Sequence, residues 1–258
     1  MGFDEPFFQI NYKLYPETGG EDGLRFAETA ERVADEFGVT FVLSPQTPDI
    51  RLVAEAVDLP ILAQGMSPHS PGPGLGHVLA ETIHEAGADG VMMNHPEFRE
   101  QTDELYEKIG RCREVGLASV VCVDGVEFGK AILEWEPDWV VFEHPELLGT
   151  TTSLTETDPR SVTEFRELVA ERSPQTGVFL GGGISSVSDV ERALELADAT
   201  GSASWISKRV DTEERSDTAG DRCGSPAILE TLNLSSRNQR SGVIRRARVV
   251  SDVNRLRS

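Results

Sequence analysis

The stretch Trp139-Val140-Val141-Phe142-Glu143-His144-Pro145-Glu146 is a short apolar run that ends on a carboxylate and breaks at a proline two residues later. Four apolar residues without alternation describe a strand buried on both faces, which in soluble proteins means a parallel sheet covered by helices. Its flanks agree. Gly125–Leu133 before it and Pro159–Arg172 after it have helical length and spacing, and Asp158-Pro159 supplies a cap with proline at the first helical position.

Working outward in both directions, the same unit recurs. Strands are expected over Phe7–Lys13, Thr40–Leu43, Pro60–Gln64, Gly90–Asn94, Ser119–Val123, Trp139–Glu143 and Gly177–Leu180, with a weaker eighth over Ser202–Ile206. The intervening helices are expected over Leu24–Phe37, Ile50–Val57, His77–Ala86, Asp103–Val115, Gly125–Leu133, Pro159–Arg172 and Ser188–Asp198. The first carries apolar residues at Leu24, Ala27, Ala30, Val33, Ala34 and Phe37, one face of a helix. Strict alternation with seven clear repeats and a weak eighth favours a closed α/β barrel of the (β/α)8 kind, its eighth β/α unit atypical, over an open doubly wound sheet. Polar residues collect where strands end: Asn11 and Lys13, Gln64, Asn94 and His95, Glu143. In such barrels that end carries the chemistry.

Composition sets the outer limits. A formal net charge of −20 on 258 residues argues against nucleic-acid binding, which needs clustered Lys and Arg. It fits a carboxylate-rich surface adapted to high salt, as does the count of four lysines among 24 basic residues. No stretch is apolar over membrane-spanning length, and Met1 to Pro6 shows no basic-then-apolar leader, so a soluble, cytoplasmic protein with no membrane partner is expected. Three cysteines leave a remainder from any pairing. Cys112 and Cys122 lie in apolar segments and read as reduced core residues, whereas Cys223 lies in a polar stretch. Residues 201–258 hold 11 basic and 7 acidic residues, against 13 and 37 in residues 1–200. This shift divides the chain into a barrel over 1–210 and a polar, basic tail over 211–258. A disordered tail, an interaction arm and a non-native reading frame all remain open for it, with disorder or a frame error fitting the composition better.

Four segments carry candidate chemistry. In Ile10-Asn11-Tyr12-Lys13, alternation places Asn11 and Lys13 on one face at a strand exit, where a lysine can hold a phosphorylated or developing anion; taken alone, a strand-end lysine is more often a solvated surface residue. His95 follows the buried run Gly90–Met93 and is placed for proton transfer, or for a structural hydrogen bond. Glu143 leaves a dry strand, so desolvation should raise its pKa toward that of a general base, unless an arginine at the rim pairs with it. The loop from Pro145 to Gly149 is placed to close over a ligand. Gly181-Gly182-Gly183 lies between a strand and a helix, where backbone N–H groups can approach an anion. His69, His77 and His84 lack the spacing of a metal site and read as surface residues. Gly125 to Lys130 is a near-miss to a phosphate-binding loop with the wrong spacing.

Taken in order, these segments resemble the triosephosphate isomerases in their compact archaeal form. The family's Asn-x-Lys is seen as Asn11-Tyr12-Lys13, its His-Ser-Glu-Arg-Arg as His95-Pro96-Glu97-Phe98-Arg99, and its Glu-Pro-Pro-Glu-Leu-Ile-Gly-Thr-Gly loop as Glu143 through Thr151. The likeness spans about Gln9 to Thr200. It implies interconversion of dihydroxyacetone phosphate and glyceraldehyde 3-phosphate, with Glu143 as base, His95 as electrophile and proton shuttle, and Lys13 with Asn11 stabilising the enediolate. It further implies phosphate held by the amides of Gly149, Gly181 and Gly182, Glu97 as a partner behind Lys13, no metal or organic cofactor, and a homodimer or homotetramer. The chain departs from the pattern at Pro96 and Phe98, at Thr151 in place of a glycine, at Gly65-Met66, and at Gly201 to Lys208, which lacks the family's Ala-Ser-Gly loop. These departures leave a second reading open: a catalytically impaired paralogue that binds phosphate esters or serves assembly. Another phosphate-handling barrel enzyme is a weaker third, because no Schiff-base lysine ends the sixth strand.

Overall fold

The computed structural model describes residues 3–150 and 152–203. They form eight parallel strands: β1 Phe7–Asn11, β2 Thr40–Ser44, β3 Leu62–Ala63, β4 Gly90–Met93, β5 Ala118–Val123, β6 Trp139–Phe142, β7 Gly177–Leu180 and β8 Ala199–Ser202. The strand order β2-β1-β8-β7-β6-β5-β4-β3 runs once round a ring. A bridge between Leu43 and Ile61, with Leu43 N–H donating to Pro60 O at 2.9 Å, brings the two ends together. The expected (β/α)8 barrel is the fold, with helices α1 Gly20–Phe37, α2 Ile50–Ala54, α3 Ala80–Glu85, α4 Thr102–Val115, α5 Val126–Leu133, α6 Leu154–Thr157, α7 Pro159–Arg172 and α8 Val187–Leu196 outside it.

Both faces of the strands are buried, which explains the absence of polar alternation along them. Phe8, Ile10, Tyr12, Leu43, Val121, Val140, Phe142 and Val178 face outward into the layer beneath the helices. Phe7, Val42, Leu62, Met92, Val120, Trp139, Val141 and Phe179 fill the barrel itself, closed below by Phe3, whose ring lies 5.3 Å from Phe7. Each such aromatic contributes about 1.5–3 kcal/mol by burial. Helices α5 and α7 meet closely because Gly129 has no side chain: a Cβ there would enter the ring of Phe165, which stacks on Phe142 at 4.5 Å.

At the N-terminal end of the barrel an aspartate precedes alternate strands and ties each to the strand before it. Asp89 Oδ2 accepts from Ile61 N–H at 2.8 Å, Asp138 Oδ2 from Ser119 N–H at 2.8 Å, and Asp198 Oδ2 from Val178 N–H at 3.1 Å. These acids satisfy backbone donors that a barrel rim leaves over.

Several boundaries differ from expectation. The eighth strand lies at Ala199–Ser202 rather than Ser202–Ile206, because Asp198 locks onto Val178 and starts the strand at once; of the expected span only Ser202 and Ala203 are described. Strand β1 ends at Asn11, not Lys13, and strand β3 is cut to two residues. Helix α8 is capped by Ser186, which accepts from Asp189 N–H at 3.2 Å, rather than opening at Ser188. Asp158 caps α7 by accepting from Ser161 N–H at 3.2 Å, with Pro159 at the first position as expected. Cys112 and Cys122 are free and buried; burial pushes the Cys112 thiol up to about 12. No described helix is long and apolar enough to cross a membrane. The expected tail over 211–258, Cys223 and Thr151 lie outside the described residues.

Candidate active site

The C-terminal ends of β1, β4, β6, β7 and β8 surround one pocket, and it contains Asn11, Lys13, His95, Glu97, Glu143 and the glycine turn after β7. Of the polar residues expected at strand ends, Asn11, Lys13, His95 and Glu143 therefore meet in one place, whereas Gln64 and Asn94 do not line it.

Lys13 reaches the pocket through a turn, which corrects the expected alternation along the strand. The strand stops at Asn11, whose Oδ1 accepts from Lys13 N–H at 2.9 Å, and Lys13 itself has φ of 50°. This local bond makes the left-handed backbone tolerable for a non-glycine residue. Gln64 holds the turn from the other side, its Nε2 donating to Lys13 O and to Ser44 O, both at 3.1 Å. The Lys13 ammonium is thus delivered from a fixed backbone. It donates to Glu97 Oε2 at 2.6 Å and lies 2.9 Å from His95 Nε2.

His95 sits on a tight loop. Asn94 leaves β4 with φ of 55°, donating through Nδ2 to Cys122 O at 3.0 Å and accepting from Glu100 N–H at 3.2 Å. Phe98 N–H donates to His95 O at 2.7 Å, so the replacements at Pro96 and Phe98 leave a closed turn. Behind it Glu100 Oε1 accepts from Lys108 at 2.9 Å, with both side chains at most 4% exposed, an ion pair absent from the sequence reading. Glu97 N–H donates to His95 Nδ1 at 3.1 Å. A backbone N–H can only donate, which assigns the proton of the neutral ring to Nε2; the Lys13 ammonium, also only a donor, then meets that N–H at 2.9 Å without a hydrogen bond between them. Burial, then the charge of Lys13, lowers the His95 pKa to about 4, which keeps the imidazole neutral in ordinary conditions. In that tautomer Nε2–H and the Lys13 ammonium are two donors side by side at the same pocket, an arrangement suited to an oxygen gaining negative charge.

Glu143 follows β6, its N–H donating to Val123 O at 3.1 Å. Its carboxyl is buried, and Oε1 lies 3.6 Å from His95 Nε2 with no hydrogen-bond partner among the described residues. No rim arginine pairs with it there. Burial pushes its pKa up to about 7, with Lys13 opposing. A dry, unpartnered carboxylate of that pKa is a competent general base. Beyond it Pro145–Leu147 form one 3₁₀ turn and Gly149 turns the chain with φ of 72°.

After β7, Gly181 lies against the base: a Cβ there would stand 2.5 Å from Glu143 Oε2. Its N–H is engaged by Phe142 O at 3.2 Å, whereas the amides of Gly149 and Gly182 donate to no acceptor among the described residues. Gly182 and Gly183 have φ of 80° and 70°, and a Cβ on Gly183 would strike Thr152 O, where the chain returns from the Glu143 loop. Ser202 and Ala203 complete the rim at β8, Ser202 Oγ donating to Ile184 O at 2.9 Å. Gln9, on the same strand face as Asn11, also lines the pocket. It was not singled out from sequence, although alternation through residues 9 and 11 was the signal for it. Among the described residues no group of three or more His, Cys, Asp or Glu is placed to hold a metal ion. His69 and His77 stack on each other at 3.7 Å, and neither lines the pocket that holds Glu143.

Comparison with known proteins agrees in extent and kind. The family model described as triosephosphate isomerase matches residues 6–203. Relatives named triosephosphate isomerase include that of Methanocaldococcus jannaschii, 36% identical over 206 residues (80% of this chain and 94% of the relative). That of Methanothermus fervidus is 37% identical over 75% of this chain and 87% of its own. That of Pyrobaculum arsenaticum is 38% identical over 74% and 85%.

Proposed function

The chain belongs to the triosephosphate isomerase family, and we propose that it interconverts dihydroxyacetone phosphate and D-glyceraldehyde 3-phosphate with Glu143, His95 and Lys13 as its reacting groups. It is an isomerase of the intramolecular aldose–ketose class. One observation carries the assignment of roles: an unpartnered buried carboxylate at 3.6 Å from a neutral imidazole, whose Nε2 is 2.9 Å from an ammonium.

Glu143 takes the proton from the carbon next to the carbonyl. As that electron pair moves into the carbon–carbon bond, charge builds on the carbonyl oxygen, where His95 Nε2–H and Lys13 converge. His95 protonates that oxygen and takes the proton from the neighbouring hydroxyl, and Glu143 returns its proton to the adjacent carbon. Atoms and charges balance without a metal or an organic cofactor. Glu97 keeps Lys13 in place, and Asn11 holds the turn that delivers it. The amides of Gly149 and Gly182 hold the phosphate, while Gly181 admits the substrate beside the base by lacking a side chain. The 145–150 loop, whose Leu148, Gly149 and Thr150 line the pocket, excludes water when it closes over the substrate, which strengthens each of these interactions.

A purely binding role is disfavoured by the same geometry, since a phosphate-ester receptor gains nothing from a base of raised pKa opposite an electrophile. The carboxylate-rich surface supports a cytoplasmic, salt-adapted enzyme of glycolysis and gluconeogenesis. A homodimer or homotetramer is supported by Leu14, Leu75 and Phe98, which stand 80%, 96% and 65% exposed around the mouth and on the loop of residues 64–79. Turnover of glyceraldehyde 3-phosphate in molar potassium chloride tests the reading: wild type converts it, and Glu143→Gln loses several orders of magnitude. Equal rates would sink it.

A further inference from the structure

The pocket contains one polar side chain to which the mechanism above gives no role. Gln9 is 4% exposed and lies on β1 one pleat below Asn11, inside the barrel rather than under the helices. A barrel interior otherwise filled by Phe7, Val141 and Phe179 is a costly place for an amide, unless both of its ends are satisfied. One end is: Nε2 stands 2.7 Å from Ser44 Oγ. The other is not. Among the described residues no donor reaches Oε1, yet that oxygen is not enclosed by protein, so it opens on the pocket that Gln9 lines. The neighbouring strand leaves room where the Gln9 side chain begins. A Cβ at Gly201 would lie 2.8 Å from Gln9 Cβ and 2.8 Å from the Gln9 backbone O, so a side chain at that point of β8 would crowd Gln9.

We propose that the Gln9 amide is a further substrate-contacting group, which hydrogen-bonds the free hydroxyl of the substrate from the floor of the pocket. A hydroxyl is the matching chemistry. It both donates and accepts, so it satisfies the free end of the amide in either orientation, the reverse orientation being one in which Ser44 Oγ–H donates to the amide oxygen. A phosphate group is not the match, because it is held by the glycine turns at the rim and cannot donate as a dianion. Gln9 therefore reads the end of the ligand remote from the phosphate, and it discriminates phosphate esters that carry a hydroxyl from those that do not. Ser44 and Gly201 act with it, the first by orienting the amide and the second by leaving it space.

The inference rests on the isomerase reading for the identity of the ligand, and the test separates the two. Gln9→Met keeps the volume and removes the hydrogen bond. Binding of glycerol 3-phosphate and of inorganic phosphate is measured by calorimetry for wild type and variant, alongside turnover of glyceraldehyde 3-phosphate and the melting temperature. The expected result is a loss of about fivefold or more in affinity for glycerol 3-phosphate, with phosphate affinity unchanged and a matching rise in KM. Ser44→Ala, which frees the amide without removing it, should show a smaller loss in the same direction. Unchanged glycerol 3-phosphate affinity in Gln9→Met overturns the proposal, as does an equal loss for both ligands. A wild type that shows the Gln9-dependent preference but no turnover would defeat the isomerase reading and leave this one standing.

Discussion

Glu143 is stable in its pocket as the acid and useful as the base, and that tension sets two expectations. Its pKa stands at about 7 instead of the ordinary carboxylate value near 4.5, because burial penalises the charge more than Lys13 offsets it. A folded-state pKa above the unfolded one contributes stability that is complete below about pH 4.5 and is lost as pH rises through about 7. Above that, the ionised group costs about 3 kcal/mol, at 1.36 kcal/mol per pKa unit. Glu143→Gln should therefore melt higher than wild type at pH 8 and nearly alike at pH 4.5, by calorimetric scans at both. For catalysis the sign reverses, since only the ionised form abstracts a proton. The kcat/KM profile should fall on the acid side through a single ionisation near pH 7, and His95, already neutral above about 4, should add no limb near 6.5. An acid limb at 4.5 would contradict the dry environment of Glu143. Glu143 and His95 were legible in the sequence because each comes at the end of an apolar run, and Lys13 because it stands two residues after Asn11 at a strand exit. How Lys13 arrives was not, because a left-handed turn closed by Asn11 Oδ1 leaves no period to read.

Among the elements, the strands at the N-terminal rim and the loops at the opposite rim divide stability from chemistry. The aspartates at 89, 138 and 198 tie neighbouring strands far from the pocket. Asp138→Ala leaves Ser119 N–H and Oγ without their acceptor, and should cost about 1–3 kcal/mol in denaturant unfolding with kcat/KM unchanged. The buried Glu100–Lys108 pair behind the His95 loop should be costlier to break than to replace. Lys108→Met alone strands a buried carboxylate, for about 3–5 kcal/mol, and adding Glu100→Leu should recover most of it. The recurring Asp before a strand was the missed signal for β8. Ala197-Asp198-Ala199 repeats the setting of Ala88-Asp89-Gly90 and Pro137-Asp138-Trp139, and it marks the strand start three residues before the apolar pattern suggests. The ion pair could not have been found that way, since an i, i+8 spacing from loop to helix lies outside any local periodicity.

The molecule as a whole joins a neutral, dry reaction centre to a strongly acidic exterior. With a formal net charge of −20, like-charge repulsion on the surface opposes the compact state and is screened by salt. The melting temperature should climb from low salt to molar potassium chloride, and sodium chloride of equal strength should act similarly if screening is the cause. Light scattering should give a mass of two or four chains, and Leu75→Asp should lower it by placing a charge on the most exposed large apolar side chain among the described residues. The barrel was readable from alternation alone, because covered parallel strands leave continuous apolar runs. The exposure of apolar residues such as Leu14 and Phe98 was not, because they look like core residues until their surroundings are known.

The most direct test of Glu143 as the base follows dihydroxyacetone phosphate in heavy water by proton NMR. Wild type should convert it to glyceraldehyde 3-phosphate while placing deuterium on carbon, because the abstracted proton exchanges with solvent at Glu143. Glu143→Gln should do neither at a measurable rate. Isomerisation with carbon-bound deuterium entering equally fast in both proteins would contradict the account.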